Sequence, residues 1–283
     1  MDSVPLEFSE RVLATRSGCS GSSPRFGAQM WNQQTQQMRL LFSIAVSGGK
    51  WTYKFYNYHS KETLSLDGVM KLKNVRISHC TFWGRSSFKH DVVDMEKLLN
   101  VVSFLSNEPF LNIYQSEDDF GCSQGKKVFK WLTESWFSYV YVPDLTPVRC
   151  QIIENQFSRW KPTKIEVKKV QENAEFLENR LMSGDLRRFL LYEPYKFPSA
   201  VLVRIIQNVL EAPEDYRRYG LDIYICFDDS VKALMNEMTE SGRCRREARD
   251  GQNYKYIFDD QAPVLKVENL CEHRWRLQCG LNC

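Results

Sequence analysis

The chain has 283 residues, 43% hydrophobic and 13% aromatic, enough to bury a large core in one or two domains. Its 38 basic and 35 acidic residues leave a net charge of +3, too small to argue for nucleic-acid or membrane partners. No stretch approaches the ~20 consecutive apolar residues of a membrane-spanning helix, and Met1 to Pro5 does not read as the start of a signal peptide. Nine cysteines, an odd number scattered over the chain, fit free thiols in a cytoplasmic or nuclear protein better than a disulfide framework.

Residues 1–37 stand apart. Ser3 can cap a short helix entered through Val4 and Pro5, with Phe8 and Val12 on one face. That helix gives way to Ser17-Gly18-Cys19-Ser20-Gly21-Ser22-Ser23-Pro24, a linker composition. Residues 38–283 are expected to form one α/β domain. Within 38–70, residues 39–46 and 51–58 read as two strands of a hairpin turned at Gly48-Gly49.

From 71 to 242 helices and short strands alternate. Asp91 or Asp94 caps a helix striped by Leu98, Val102 and Leu105, and residues 110–115 follow as a strand. Ser123 begins the next helix, ahead of a strand at 137–142. Thr146-Pro147 combines a capping side chain with proline in the first turn, and a strand at 164–169 follows. Leu177 and Leu181 mark a helix closed by Gly184. Pro198 opens the longest helix, residues 221–227 form a strand, and Asp229 caps the last helix. In the tail, 243–283, strands at 254–258, 264–269 and 275–279 are expected to cap the open end.

The strands share a triplet of outward, apolar and outward residues. It occurs at Arg76-Ile77-Ser78, Asn112-Ile113-Tyr114, Tyr139-Val140-Tyr141, Glu166-Val167-Lys168, Leu190-Leu191-Tyr192 and Asp222-Ile223-Tyr224. From Ile113 onward the central residues are 27, 27, 24 and 32 positions apart. Recurrence on this scale marks stacked supersecondary units, and helices between strands imply a mostly parallel sheet. A doubly wound sheet needs continuous apolar strands. Here Ile165 and Val167 alternate with Lys164, Glu166 and Lys168, which favours an irregular solenoid similar to leucine-rich repeats, with one open face.

Val4-Pro5-Leu6-Glu7-Phe8 followed by Val12-Leu13 resembles the first helix of an F-box. With helix–strand pulses behind it, the layout is similar to the large nematode families of F-box proteins with leucine-rich-like or F-box-associated C-terminal regions. Gly and Ser replace the middle of the F-box, which makes it truncated or degenerate. The resemblance implies a substrate-recruiting adaptor of a ubiquitin ligase, docked to the ligase scaffold through the N-terminal helix.

The chemistry is sparse. Gly121-Cys122-Ser123-Gln124-Gly125 matches the nucleophile elbow of α/β-hydrolases, with Asp222 or Asp228 and then His273 available in chain order. Against it, Ser116-Glu117-Asp118-Asp119-Phe120 intervenes after the strand, and two aspartates disfavour an oxyanion site. Gly125-Lys126-Lys127 fails the phosphate-loop pattern. Cys271, His273, Cys279 and Cys283 lack the paired spacing of a zinc site, so no metal or cofactor is expected. Acidic residues interrupt the cluster Arg243, Arg245, Arg246 and Arg249, which reads as a solvated face. The remaining candidate is the outward row Tyr114, Tyr139, Tyr141, Lys168, Tyr192 and Tyr224. Such side chains on a rigid strand face suit protein recognition. The expectation is a non-enzymatic interaction module that binds a protein through this face. A serine hydrolase using Ser123 and a decayed paralogue without activity are the alternatives.

Overall fold

The computed structural model describes residues 38–157, 163–170, 172–248, 254–258, 264–271 and 274–279. They fall into two compact units, the first comprising residues 38–110 with 118–131 and the second 111–117 with 132 onward. The F-box-like segment, residues 1–37, lies outside the described residues.

In the first unit, β1 (Met38–Ser47) and β2 (Lys50–Asn57) form the expected antiparallel hairpin, closed where Ser47 faces Lys50. Gly48 and Gly49 have φ of 56° and 77°. Two successive positive φ values make the tight turn whose twist matches the strands, and only glycine adopts them without strain. β3 (Thr63–Leu64) joins the outer edge of β2, as does β5 (His90–Asp91). α1 (Leu66–Met70) begins at Ser65, whose hydroxyl accepts from the Gly68 amide at 3.2 Å. It leads to β4 (Val75–Gly84), which lies parallel to β1. The hairpin is therefore no separate N-terminal piece, because the first strand of the helix–strand series pairs with it. α2 (Met95–Leu105) starts at Asp94, whose carboxylate accepts from the Lys97 amide at 3.0 Å, and buries Met95, Leu98, Leu99 and Val102. It passes without a loop into β6 (Ser106–Ile113), and α3 (Ser123–Glu134) follows.

The second unit contains the helix–strand series. β7 (Tyr139–Val142), β8 (Lys164–Val167), β9 (Arg188–Leu191) and β11 (Leu221–Phe227) are consecutive parallel neighbours. Between them run α4 (Pro147–Phe157), α5 (Ala174–Ser183), and α6 (Ser199–Glu211) with α7 (Pro213–Tyr219). A short β10 (Lys196–Phe197) also pairs with β11 in parallel. Thr146 caps α4, Gly184 ends α5 in the left-handed region, and Pro198 precedes α6, as expected. At α8 (Ser230–Glu240) Asp229 holds the cap position as expected but makes no side-chain cap bond, and its neighbour Asp228 accepts from the Ser230 amide at 3.1 Å.

Beyond α8 the sheet turns antiparallel in the order β12-β13-β14-β15-β11. These strands are β12 (Arg245–Ala248), β13 (Tyr254–Phe258), β14 (Leu265–Cys271) and β15 (Arg274–Cys279). β12 is an addition to the expected tail, formed by part of the arginine cluster. Each unit is thus α/β on a mixed sheet, parallel where helices intervene in the second. Val140, Val142, Ile165, Val167, Phe189, Leu191, Ile223 and Ile225 are buried on one face, and Ile152, Leu177, Leu181, Leu202 and Ile205 supply helical core residues. Burying each such side chain contributes about 1.5–3 kcal/mol. On the opposite face Tyr141, Leu190 and Tyr224 are half-buried and Lys164, Lys168 and Tyr192 exposed. None of the described helices is long and apolar enough to cross a membrane.

Candidate recognition face

The strand triplets do not stand in one register. Tyr141 lies opposite Glu166, Glu166 opposite Leu190, and Leu190 opposite Tyr224. Lys168 and Tyr192 fall one outward position further along, just beyond the ends of β8 and β9. The row expected to hold Tyr141, Lys168, Tyr192 and Tyr224 is therefore two rows.

This offset places Glu166 among the tyrosines. Its residue is only 4% exposed although it belongs to the outward face. Tyr139 donates its hydroxyl to Oε2 of Glu166 at 2.8 Å, Tyr192 donates to the same oxygen, and Nζ of Lys164 lies 2.7 Å from Oε1. The rings close over the carboxylate: Tyr114 meets Tyr141 at 5.5 Å between centroids, and Tyr141 meets Tyr192 at 6.3 Å in an edge-on contact. Tyr114 and Tyr192 stay 40% and 47% exposed. A buried carboxylate is tolerable only when charge-assisted hydrogen bonds replace its water, and three donors do so here.

The same bonds set the ionisation of the group. Burial pushes the Glu166 carboxyl up, but the bonds from Lys164, Tyr192 and Tyr139 outweigh it and hold the pKa below the ordinary value. Tyr192 is pushed up to about 12, first by its bond to Glu166 and then by burial. Burial is the first cause at Tyr139, with Glu166 second, and burial also raises Tyr141 and Tyr114. Tyr139 and Tyr192 are therefore neutral donors to a fixed anion.

Two expected members stand outside this cluster. Lys168 is exposed and pairs loosely with Glu193 at 4.0 Å. Tyr224 lies beyond Leu190, where the Arg276 guanidinium covers its ring at 4.7 Å and also meets Asp222 at 3.2 Å. Arg274 donates to the backbone carbonyl of Tyr192 at 2.9 Å. The sequence alone does not place Glu166 in the row, because its outward position, between two lysines, reads as solvated. The signal for it was the pair of neighbouring tyrosines, which need acceptors once packed.

The Gly-x-Ser-x-Gly motif has a packing explanation. β6 ends at Ile113, a 3₁₀ turn occupies Glu117–Phe120, and Ser123 is an exposed first residue of α3. The strand-to-helix elbow that would present a nucleophile is not formed. Nor is Ser123 the cap, since the Gly125 amide donates to Sγ of Cys122 at 3.3 Å. Gly125 sits so close to the 3₁₀ turn that a Cβ would meet the Asp119 carbonyl oxygen at 2.1 Å and Phe120 Cα at 2.7 Å. Gly125→Ala is expected to destabilise by about 1–3 kcal/mol through overpacking. Ser123→Ala should stay within about 0.5 kcal/mol. Urea unfolding of both variants checks the contrast, and equal effects would contradict it.

No group of three or more His, Cys, Asp or Glu among the described residues is placed to hold a metal. Cys279 is buried in β15, while His273 and Cys283 lie outside the described residues. In the arginine cluster Arg245 pairs with Glu247 at 3.1 Å and Arg246 covers Tyr254 at 4.7 Å, and Arg249 lies outside the described residues. No family model, no curated protein and no solved structure matches the chain.

Proposed function

We propose that the chain is a non-enzymatic protein-interaction module whose second unit binds a protein partner through the face bearing Tyr114, Tyr139, Tyr141 and Tyr192. Packed tyrosines over a buried, fully bonded carboxylate carry this reading, because they present large, rotationally restricted surfaces with little entropy left to lose on binding. Helix–strand alternation with one half-exposed strand face supports an irregular leucine-rich-like solenoid, and the antiparallel tail its cap. On the resemblance of residues 4–13 to an F-box helix, the partner is a substrate recruited to a ubiquitin ligase.

A photo-crosslinking phenylalanine analogue placed at Tyr192 in the full chain should give one discrete protein adduct in cells. The same analogue at Val93, which is 92% exposed in the first unit, should not. Identical adducts at both positions, or none at Tyr192, would remove the face from consideration. Ligase scaffold recovered with the full chain and lost on deleting residues 1–37 is the result expected for the adaptor role.

A further inference from the structure

We propose that Ser241 is a phosphorylation site, written by a protein kinase that reads arginines C-terminal to its target, and that Arg243 holds the phosphate once it is made. The inference does not depend on the tyrosine face.

Access is the first argument. Ser241, Gly242 and Arg243 are three consecutive exposed residues between the end of α8 and the start of β12. Gly242 turns the chain with φ of 73°, and a Cβ placed on it would meet nothing within 4 Å. The turn thus stands clear of its own unit, as a segment taken into a kinase cleft must. Arginines follow the serine at the second, fourth and fifth positions, Arg243, Arg245 and Arg246, and kinases choose substrates by such charge patterns. Ser183 is the nearest rival, with Arg187 and Arg188 behind it. Its hydroxyl, however, donates to the Asp185 carboxylate at 2.8 Å, where a phosphate would meet an anion.

The second argument is that the hydroxyl proton can be given up. In the transfer, Oγ of Ser241 attacks the γ-phosphorus of kinase-bound Mg-ATP and the bond from that phosphorus to the ADP oxygen breaks. The serine proton passes to the base of the kinase, and ADP leaves. Before transfer Oγ donates to the Met238 carbonyl at 3.2 Å. That carbonyl keeps the Arg243 amide at 2.9 Å, and the Ser241 and Gly242 amides still close the helix on Glu237 and Thr239. No acceptor is stranded, so α8 keeps its end.

The third argument is what holds the product. A phosphoserine carries about −1.5 to −2 charge, and the carbonyl end of α8 repels it. Arg246 is engaged by Asn236 at 3.3 Å and by the Tyr254 ring at 4.7 Å, and Arg245 by Glu247 at 3.1 Å. Arg243 is exposed and pairs with no carboxylate among the described residues. Two residues from the phosphate across a turn, its planar fork can take two phosphate oxygens at once.

The test incubates the full chain with Mg-ATP and the catalytic domain of an arginine-directed protein kinase, beside a synthetic peptide of residues 236–248. The chain should take up one phosphate, mapped to Ser241 by mass spectrometry and lost in Ser241→Ala. Arg243→Gln should slow transfer about tenfold. In phosphorus NMR the fully phosphorylated parent should titrate about half a unit below the fully phosphorylated Arg243→Gln chain, since the guanidinium favours the dianion. Transfer to the peptide but not to the chain, or to neither, overturns the site. Phosphate on Ser183 in equal amount overturns the selection of Ser241. Identical titrations of parent and variant overturn the role of Arg243.

Discussion

Arg149→Ala is expected to cost about 2–3 kcal/mol in urea unfolding of the full chain, less than the ~3–5 kcal/mol for a fully buried pair because the Asp144 side chain keeps 29% exposure. Arg149 is 5% exposed on α4. Its guanidinium pairs with Asp144 and donates to the Gln115 carbonyl, joining the chain after β6 to the loop after β7. Glu117 completes the junction by accepting from the Val148 amide at 2.9 Å in the first turn of α4. Alanine leaves the part-exposed Asp144 carboxylate and the buried Gln115 carbonyl without their donor. Arg149→Lys should recover little, because a single ammonium cannot span both acceptors. Arg149→Met combined with Asp144→Asn should recover part of the loss, since both charges then vanish together. A single-variant loss below about 1 kcal/mol would show that the junction does not hold the unit together. Gln115 adjoins Tyr114, so the same variant should also broaden the Tyr114 ring signal.

Glu166→Leu should lower stability by about 3 kcal/mol, and Glu166→Gln by about 1.5–3 kcal/mol, as three charge-assisted bonds are lost or weakened. The pH dependence has a definite sign on each side. The folded carboxyl titrates below its ordinary value, so its contribution is present above the usual carboxylate range and is lost as pH falls through the lowered value. Tyr192 titrates higher in the folded chain, at about 12. Its contribution is present below the ordinary tyrosine value of about 10 and is lost as pH rises from there through about 12. Glu166→Gln removes the first cause of that shift, so phenolate absorbance should rise at lower pH in the variant. Superimposable alkaline titrations of parent and variant would mean that Glu166 does not govern the tyrosines.

Much of the architecture was legible in the residues. The paired glycines at 48 and 49 specify a two-residue turn by their φ requirement, and Thr146-Pro147 and Gly184 mark helix ends through capping chemistry. The tail strands lie close to their expected positions because alternation of large apolar residues fixes them locally. Register was not legible. A side-chain period of two decides which face a residue occupies, but sliding a strand by two residues preserves every face. Helix and loop geometry decide that slide. It moved Glu166 rather than Lys168 opposite Tyr141 and brought a carboxylate beneath the rings. The parallel pairing of β4 with β1 was missed for a related reason, as it depends on contacts distant in sequence.

The switch at β11, with parallel β9 on one side and antiparallel β15 on the other, bears on synthesis. β15 begins 47 residues after β11 ends. At about 5–20 residues per second, the ribosome leaves that β11 edge without its partner for roughly 2–10 s. During that interval Ile223 and Ile225 can be covered by the preceding helices, but the backbone amides and carbonyls facing β15 are open to other nascent chains. Asp222, Arg276 and Arg274 make one face of this late seam polar along its length, so correct closure is favoured by the Arg276–Asp222 pair, which an identical unpaired edge does not offer.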